Sequence, residues 1–379
     1  MTLRAQNPLP AETGQEASLP ASGMGPRSGE APDRLAESPA VGRAALDLRH
    51  MTPEAYERLS QRDALRPLAA ILHGDAQGEA AAAGKGWPEV RSHLRTLEVP
   101  GRVEVLLTDS AVAREREQGF ELASSEAFLF GACRVEDIRG ARVAEAAEAV
   151  YLGLLRLIER RGYPRLLRMW NILEDINGQE EGLERYRHFC LGRHEALAVL
   201  QPATLEAPPA ACGIGAEDGG LCVYFLAARE PGLPVENPRQ VSAYRYPPRY
   251  GPRSPSFSRG LFKRLGDRAG LFLSGTASIT GHESRHLGCV AAQVGETLEN
   301  VRALVRAAEE RSGQALPLAS PDTTLRAYVR DEGDYPLVRE LLERHLGPEA
   351  EVLYLRADIC RRELLFEIDG QIFQPATGA

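Results

Sequence analysis

Near the C-terminal end of this 379-residue chain, one carboxylate stands where a carboxylate is costly. Glu367 sits inside the apolar run Leu364-Leu365-Phe366-Glu367-Ile368. With Leu353-Tyr354-Leu355 upstream and a polar break at Arg361-Arg362, the stretch reads as a β-hairpin, two short apolar runs around a turn. A glutamate there either faces solvent on an edge strand or is desolvated, and alternation alone permits both. Desolvation raises a carboxyl pKa, so a buried Glu367 would stay protonated near neutral pH and serve as a general acid.

A second set of chemically loaded residues lies in the segment Pro231 to Arg259. From Asn237 onward it carries five arginines, among them Arg253, and three tyrosines, Tyr244, Tyr246 and Tyr250, with almost no acid. Its prolines hold it extended and stiff. Guanidinium groups beside phenol hydroxyls suit an anion, because arginine pairs with carboxylate in a bidentate fork. A solvated linker is the alternative, but it would not need three tyrosines and Phe257. Arg253, held by Pro252 and Pro255, is expected to bind an anion more strongly than Arg259 at the linker's end.

The glycine turn Ser274-Gly275-Thr276-Ala277-Ser278 follows an apolar strand, and its small residues would let a ligand approach the backbone; a tight turn explains them equally well. Gly182 to Leu200 reads as an arginine-rich helix in which Gly192 permits a close approach and Arg193 is aimed at a ligand, or is merely a surface arginine. His282 and His286 lack a third ligand at metal spacing, so no metal site is expected.

The elements that must position these residues follow from composition and periodicity. The chain is 43% hydrophobic and 26% charged, enough apolar residues for a sizeable core. A net charge of −8 argues against nucleic acid as a partner. None of the six cysteines forms a C-x-x-C pair, no signal peptide follows Met1, and no run reaches the ~18 apolar residues of a membrane span. These features predict a cytoplasmic protein with reduced thiols and no membrane contact. Residues 1–98 form an extension expected to be largely disordered, especially to about residue 45, with short helices after Asp47 (Thr52 as cap, Pro53 at the first position).

Order is expected from Val99. The apolar spacing of Val143 to Arg161 is helical, Leu166 to Leu173 is a strand, and Ala210–Ile214 with Leu221–Ala227 reads as a hairpin. The second half repeats this: strand ending in glycine at Leu271–Gly275, helix from Val290, strand Thr324–Val329, helix from Pro336, then the opening hairpin. Gly131 matches Gly275 and Tyr224 matches Glu367, at offsets of 144 and 143 residues. An internal duplication constrains the fold more than any single motif. The predicted class is α+β, two duplicated α/β domains with helices packed on mixed sheets. The first spans 99–230, the Arg/Tyr/Pro-rich connector 231–262 and the second, catalytic, domain 263–379. A ligand site is expected in the cleft between copies.

Several of these stretches resemble a known family. Phe272-Leu273-Ser274-Gly275-Thr276-Ala277-Ser278, Tyr328-Val329-Arg330-Asp331, Arg356 and Glu367 are similar to the YjgF-like reactive-intermediate deaminase superfamily. Met169-Trp170-Asn171-Ile172, Gly182-Leu183-Glu184-Arg185-Tyr186, Val235 to Tyr244, Tyr250 to Phe257 and Gly281-His282-Glu283-Ser284 resemble, more closely, the chorismatase family, from about residue 100 to the end. The resemblance implies a duplicated YjgF-like fold, release of pyruvate from chorismate, no cofactor, and Glu367 as the catalytic acid. It also implies substrate contacts from Tyr186, Arg193, Tyr244, Tyr246, Arg253 and Arg356. Family members making 3-hydroxybenzoate carry glycine and cysteine at two pocket positions, matched here by Gly275 and Cys360; those making a dihydroxycyclohexadiene acid carry alanine at both. The extension resembles that of synthases tied to aryl-polyene pigment and ubiquinone supply. A duplicated chain related to trimers implies a monomer. Formation of 4-hydroxybenzoate as well, hydrolysis to 3,4-dihydroxycyclohexa-1,5-dienoate, imine deamination and non-catalytic binding of a small molecule stay open, because fold does not fix function.

Overall fold

The structure is a computed structural model describing residues 46–60, 63–74, 85–98, 101–138, 142–201, 204, 208–266 and 268–374. The described elements start with β1 (Leu46–Met51), α1 (Pro53–Arg58), β2 (Arg66–Leu72), β3 (Glu89–Arg91), β4 (Arg95–Thr96) and β5 (Val103–Thr108). The first long copy contains β6 (Ala113–Glu117), β7 (Phe120–Ser124), β8 (Phe128–Val135), α2 (Val143–Arg160) and β9 (Arg165–Glu174). It continues through β10 (Gln179–Glu180), β11 (Leu183–Glu184), α3 (Arg185–Leu200), β12 (Ala210–Ala216) and β13 (Leu221–Ala228). The second contains β14 (Leu233–Val235), β15 (Gly260–Leu265), β16 (Arg268–Ala277), β17 (Ile279–Thr280), β18 (Glu283–Ser284) and α4 (Val290–Ser312). It ends with β19 (Thr323–Val329), α5 (Tyr335–Leu346), β20 (Glu351–Arg356), β21 (Asp358–Ile359) and β22 (Phe366–Phe373).

Two seven-stranded sheets, β21-β12-β9-β13-β8-β7-β6 and β14-β15-β16-β22-β19-β20-β4, carry the duplication. Counting β8, β9, β12, β13 and β16, β19, β20, β22 as the first to fourth strands of each repeat, the fourth inserts between the first and second in both, and the second and third run parallel. Neither expected hairpin forms. β20 and β22 flank β19, and β12 and β13 flank β9. The cause is the crossover helix, which carries the third strand to the far side of the second, a placement that local spacing does not encode.

Strands are already present from Leu46, well before the start of order expected near Val99. The short sheet β1-β5-β2-β3 has the same strand order and directions as the two long copies, so the fold repeats three times. The first repeat escaped periodicity because its one described helix is the six-residue α1, too short to show a 3.6-residue stripe. Thr52 caps that helix as expected, its hydroxyl accepting from the Ala55 amide at 3.2 Å. The readings of residues 1–45 lie outside the described residues.

Each sheet buries one face against its own helices. Val143, Ala147, Val150, Leu154 and Ile158 of α2 lie a turn apart and pack on Leu129, Met169 and Phe225; α4 and α5 do the same on the second sheet, and Tyr56 of α1 on the short one. Gly313 ends α4 with a left-handed residue, φ 68°. The opposite faces of all three sheets meet in one central core containing Leu48, Ile71, Phe130, Trp170, Tyr224, Tyr328 and Phe373.

That core also buries charge. Arg326 on β19 donates to Glu104 on β5, through Nε at 2.9 Å and through Nη2, and to the Tyr224 hydroxyl on β13 at 3.0 Å. Burial opposes ionisation of Glu104, but Arg326 and the His50 ring hold its carboxyl below the usual range. Arg168 on β9 donates to Asp369 on β22 at 2.6 Å, with both side chains fully buried. The indole of Trp170 lies between the two guanidiniums, 5.1 and 5.2 Å away. Because removing one partner strands a buried charge, Arg326→Met is expected to cost about 3–5 kcal/mol in urea unfolding, and Arg326→Met with Glu104→Leu to recover most of it.

Candidate active site

β22 presents Glu367 and Asp369 to the sheet interior and Phe366 and Ile368 to the helices, by strand alternation. Glu367 is opposite Ala277 on one side and Tyr328 on the other, and is buried. β16 runs through Gly275 to Ala277 instead of ending at the glycine, as β8 runs through Gly131. A register shift between Leu273 and Thr276 inserts one residue into β16, a β-bulge absent from the matching pair in the first copy. One extra residue reverses which face a side chain meets. Gly131 consequently yields space to Phe225 on the helix side, whereas Gly275 yields it to Glu367 on the interior side. A Cβ at Gly275 would overlap Oε1 of Glu367 and come within 3.0 Å of its Cδ.

Burial, with the charge of Asp369 adding to it and Arg168, Arg259 and Arg330 opposing it, pushes the Glu367 carboxyl up to about 8. It is therefore a carboxylic acid at neutral pH, as desolvation predicts. It opens into a pocket of about 570 Å³, counting space open to solvent, between the two long copies. Tyr186 at the start of α3, Tyr246, Tyr250, Phe257, Gly275, Cys360, Arg259 and Arg361 line it. Gly213 on β12 leaves room for the Tyr186 ring, which would lie 2.9 Å from a Cβ there. Burial, together with the charge of Glu367, pushes the Cys360 thiol far up, so it is a neutral S–H.

Two guanidiniums are fixed in the pocket wall. Arg259 is buried and donates to the Val241 carbonyl at 2.8 Å and the Tyr246 hydroxyl at 2.7 Å. Arg361 donates to the His282 carbonyl and the Ser284 hydroxyl, both at 3.0 Å, and lies 4.2 Å from the centroid of the Tyr250 ring. The connector is pinned over the site by Val241, whose amide donates to the Gly281 carbonyl at 2.8 Å. Among the described residues no cluster of three metal-ligating side chains exists.

Of the residues singled out in the sequence, the fold brings together Glu367, Tyr186, Tyr246, Gly275 and Cys360. It leaves four outside the pocket lining. Arg193 is buried in α3, donates to the Ser256 carbonyl at 2.6 Å and rests against Tyr151, so it braces the connector behind Phe257. Arg253 is exposed and pairs with Glu195 at 3.3 Å. Arg356 lies 3.5 Å from Asp358 and 3.6 Å from Glu217. Tyr244 lies beneath Arg245 on a 3-10 turn. It is Arg259 rather than Arg253 that lines the pocket, because the chain beyond Phe257 turns inward to become β15 and carries Arg259 into the core. Arg361 belongs to the polar break Arg361-Arg362, and its half-buried place in the pocket wall depends on the loop that follows β21. His282 sits at the rim, its Nδ1 2.9 Å from Arg249 and 3.2 Å from the Tyr250 hydroxyl. His286 pairs with Glu296 at 3.3 Å.

Residues 104–227 match the family model described as chorismatase FkbO/Hyg5-like, N-terminal. The chain is 38% identical over 296 residues to a 3-hydroxybenzoate synthase of Streptomyces hygroscopicus, covering 76% of this chain and 86% of the relative. It is 38% identical over 327 residues to a chorismatase of Streptomyces rapamycinicus, covering 84% and 96%. A chorismatase crystal structure superimposes with a TM-score of 0.77 at 33% identity, covering 88% of this chain and 99% of the other. Identity at this level across nearly the whole length of these relatives settles the lineage: the chain belongs to the chorismatase family.

Proposed function

We propose that the protein converts chorismate to 3-hydroxybenzoate and pyruvate, with Glu367 as proton donor. The observation that carries this is one pocket holding a buried neutral carboxyl and two fixed guanidiniums, in a relative of a 3-hydroxybenzoate synthase. Chorismate is a dianion, with one carboxylate on the ring and one on the enolpyruvyl group. Arg259 and Arg361 each take one, by charge-assisted hydrogen bonds that orient the ring. Glu367 gives its proton to the methylene carbon of the enol ether. Positive charge then develops on the ether carbon, and the enolpyruvyl oxygen becomes a leaving group.

Hydroxybenzoate and pyruvate together contain the atoms of chorismate and nothing else, so no water is consumed. The ring keeps an oxygen of its own and loses a proton to aromatise, which returns a proton to the site. Hydrolysis to the dihydroxycyclohexadiene acid adds one water. Product choice therefore depends on denying water to the cleaved ring, and we assign that role to the wall formed by Gly275 and Cys360. The three internal repeats close the central core within one chain, which supports a monomer as the working unit. No helix among the described residues is long and apolar enough to cross a membrane.

Glu367→Gln is expected to retain the fold and chorismate binding and to lose about 10²–10⁴ in rate. The wild-type kcat/KM should be full below and lost above pH about 8, since the acid form is the active one. The folded state also binds this proton more tightly than the unfolded chain, so stability should fall as pH rises from about 4.5 to about 8. Glu367→Gln should lack that slope; wild-type turnover by the variant would refute the assignment.

Arg259→Ala is expected to raise KM for chorismate by an amount equivalent to roughly 1.5–3 kcal/mol, and Arg253→Ala to leave it near wild type. Equal small effects would remove Arg259 from the clamp.

Chromatography of products from purified protein and chorismate should show 3-hydroxybenzoate with equimolar pyruvate. Gly275→Ala combined with Cys360→Ala should move product toward the dihydroxy acid. The added Cβ displaces the Glu367 carboxyl, so pyruvate release should slow but continue. Unchanged aromatic product at lower yield would release Gly275 and Cys360 from product control.

A further inference from the structure

We propose that the ion pair Arg168–Asp369, which no substrate reaches, positions and tunes the Glu367 carboxyl, making the proton affinity of the acid a property of the contact between the two long copies. This rests on the assignment of Glu367 as proton donor. Asp369 is two residues along β22 from Glu367, on the same interior face, and fully buried. It is held from three sides. Arg168 reaches it from β9 of the other copy at 2.6 Å, the Tyr328 hydroxyl donates from β19 at 3.1 Å, and Cys212 of β12 lies alongside. Its second oxygen, Oδ1, has no hydrogen-bond partner, and neither have Nε and Nη1 of Arg168. The pair is thus incompletely satisfied within the protein, and its charges act on their surroundings rather than on further partners.

Glu367 is the neighbouring group that responds. The charged and titratable groups facing it are Asp369 on its own strand, Arg168 from β9, Tyr328 on β19, Arg259 at the head of β15, Arg330 beyond β19, Cys360 and Arg361 beyond β21 and Tyr186 on α3. Arg259 lines the substrate pocket, and Arg330 is saturated by Asp358 at 2.6 Å and by the Leu364 carbonyl at 2.8 Å. Arg361 lines that pocket too, so Arg168 and Asp369 remain as the fixed charges outside the pocket lining that join the two long copies beside Glu367. Their effects on Glu367 oppose each other: the carboxylate favours the protonated acid and the guanidinium favours its ionised form. In a low-dielectric interior, loss of either charge alone is felt strongly, whereas loss of both largely cancels.

The test follows the carboxyl itself by infrared difference titration, using the acid band absent from Glu367→Gln, alongside the pH profile of kcat/KM. Asp369→Asn should lower the midpoint by at least one pH unit, about tenfold in proton affinity. Arg168→Gln should leave two facing carboxyls that hold their last proton to higher pH, moving the midpoint up. The double variant should titrate near wild type, and the affinity for chorismate should change less than threefold throughout. Damage to packing alone would move both single variants in the same direction or neither, and would overturn the proposal. If one single variant does not fold, the other and the double variant still give opposed or unopposed shifts. Should Glu367→Gln retain turnover while the carboxyl band shifts as stated, the tuning stands and the proton-donor assignment falls; a dead Glu367→Gln with unmoved bands gives the reverse.

Discussion

The structure depends on charges that it cannot leave unpaired. Arg168 and Arg326 occupy the same register position in the two long copies, each two residues before the aromatic residue, Trp170 or Tyr328, on the second strand. Each reaches across a sheet boundary, one to Asp369 and the other to Glu104. These pairs cost desolvation, and apolar replacements of equal volume would serve stability as well. What they give is a fixed relation between sheets, since a guanidinium buried without its carboxylate is far worse than either arrangement. The duplicated arginine thereby locks each sheet to the next.

Three repeats create three sheet junctions, and the pocket around Glu367 occupies one. In the first long copy the position of Glu367 is taken by Tyr224, fully buried and stacked on Trp170 at 4.9 Å between ring centroids. Its hydroxyl is used by Arg326, so that junction is a filled core. In the second copy the same strand position carries a carboxyl, and the bulge at Gly275 turns a gap toward it. A two-residue difference, tyrosine to glutamate and a strand with one residue more, separates a packing site from a pocket.

Glu367 shows how a protein keeps an acid protonated next to cations. Arg259 and Arg361 face the same space and would by themselves favour the carboxylate. Burial is the largest influence on Glu367, and Asp369 adds to it, so the acid form prevails at neutral pH. The guanidiniums are held by carbonyls, hydroxyls and tyrosine faces rather than by carboxylates in the pocket, which leaves their charge for an incoming anion.

Composition and periodicity carried the long helices α2 and α4, most of the strand segments, the duplication and the anomalous glutamate, because each of these is written in neighbouring residues. The pocket residues Gly275 and Cys360 and the buried Glu367, the proposed proton donor, were legible with the help of family motifs. Strand order was not, since a strand's neighbours are chosen by where a crossover helix sets it down; that is why both hairpins were misread. The first repeat, lacking a long helix, left no periodic trace. Which arginines reach the pocket was decided by tertiary structure alone. Arg253 and Arg259 have similar local surroundings in sequence, yet one pairs with Glu195 in solvent and the other enters the core with β15, because burial is a property of the assembled sheets and not of the segment that carries the side chain.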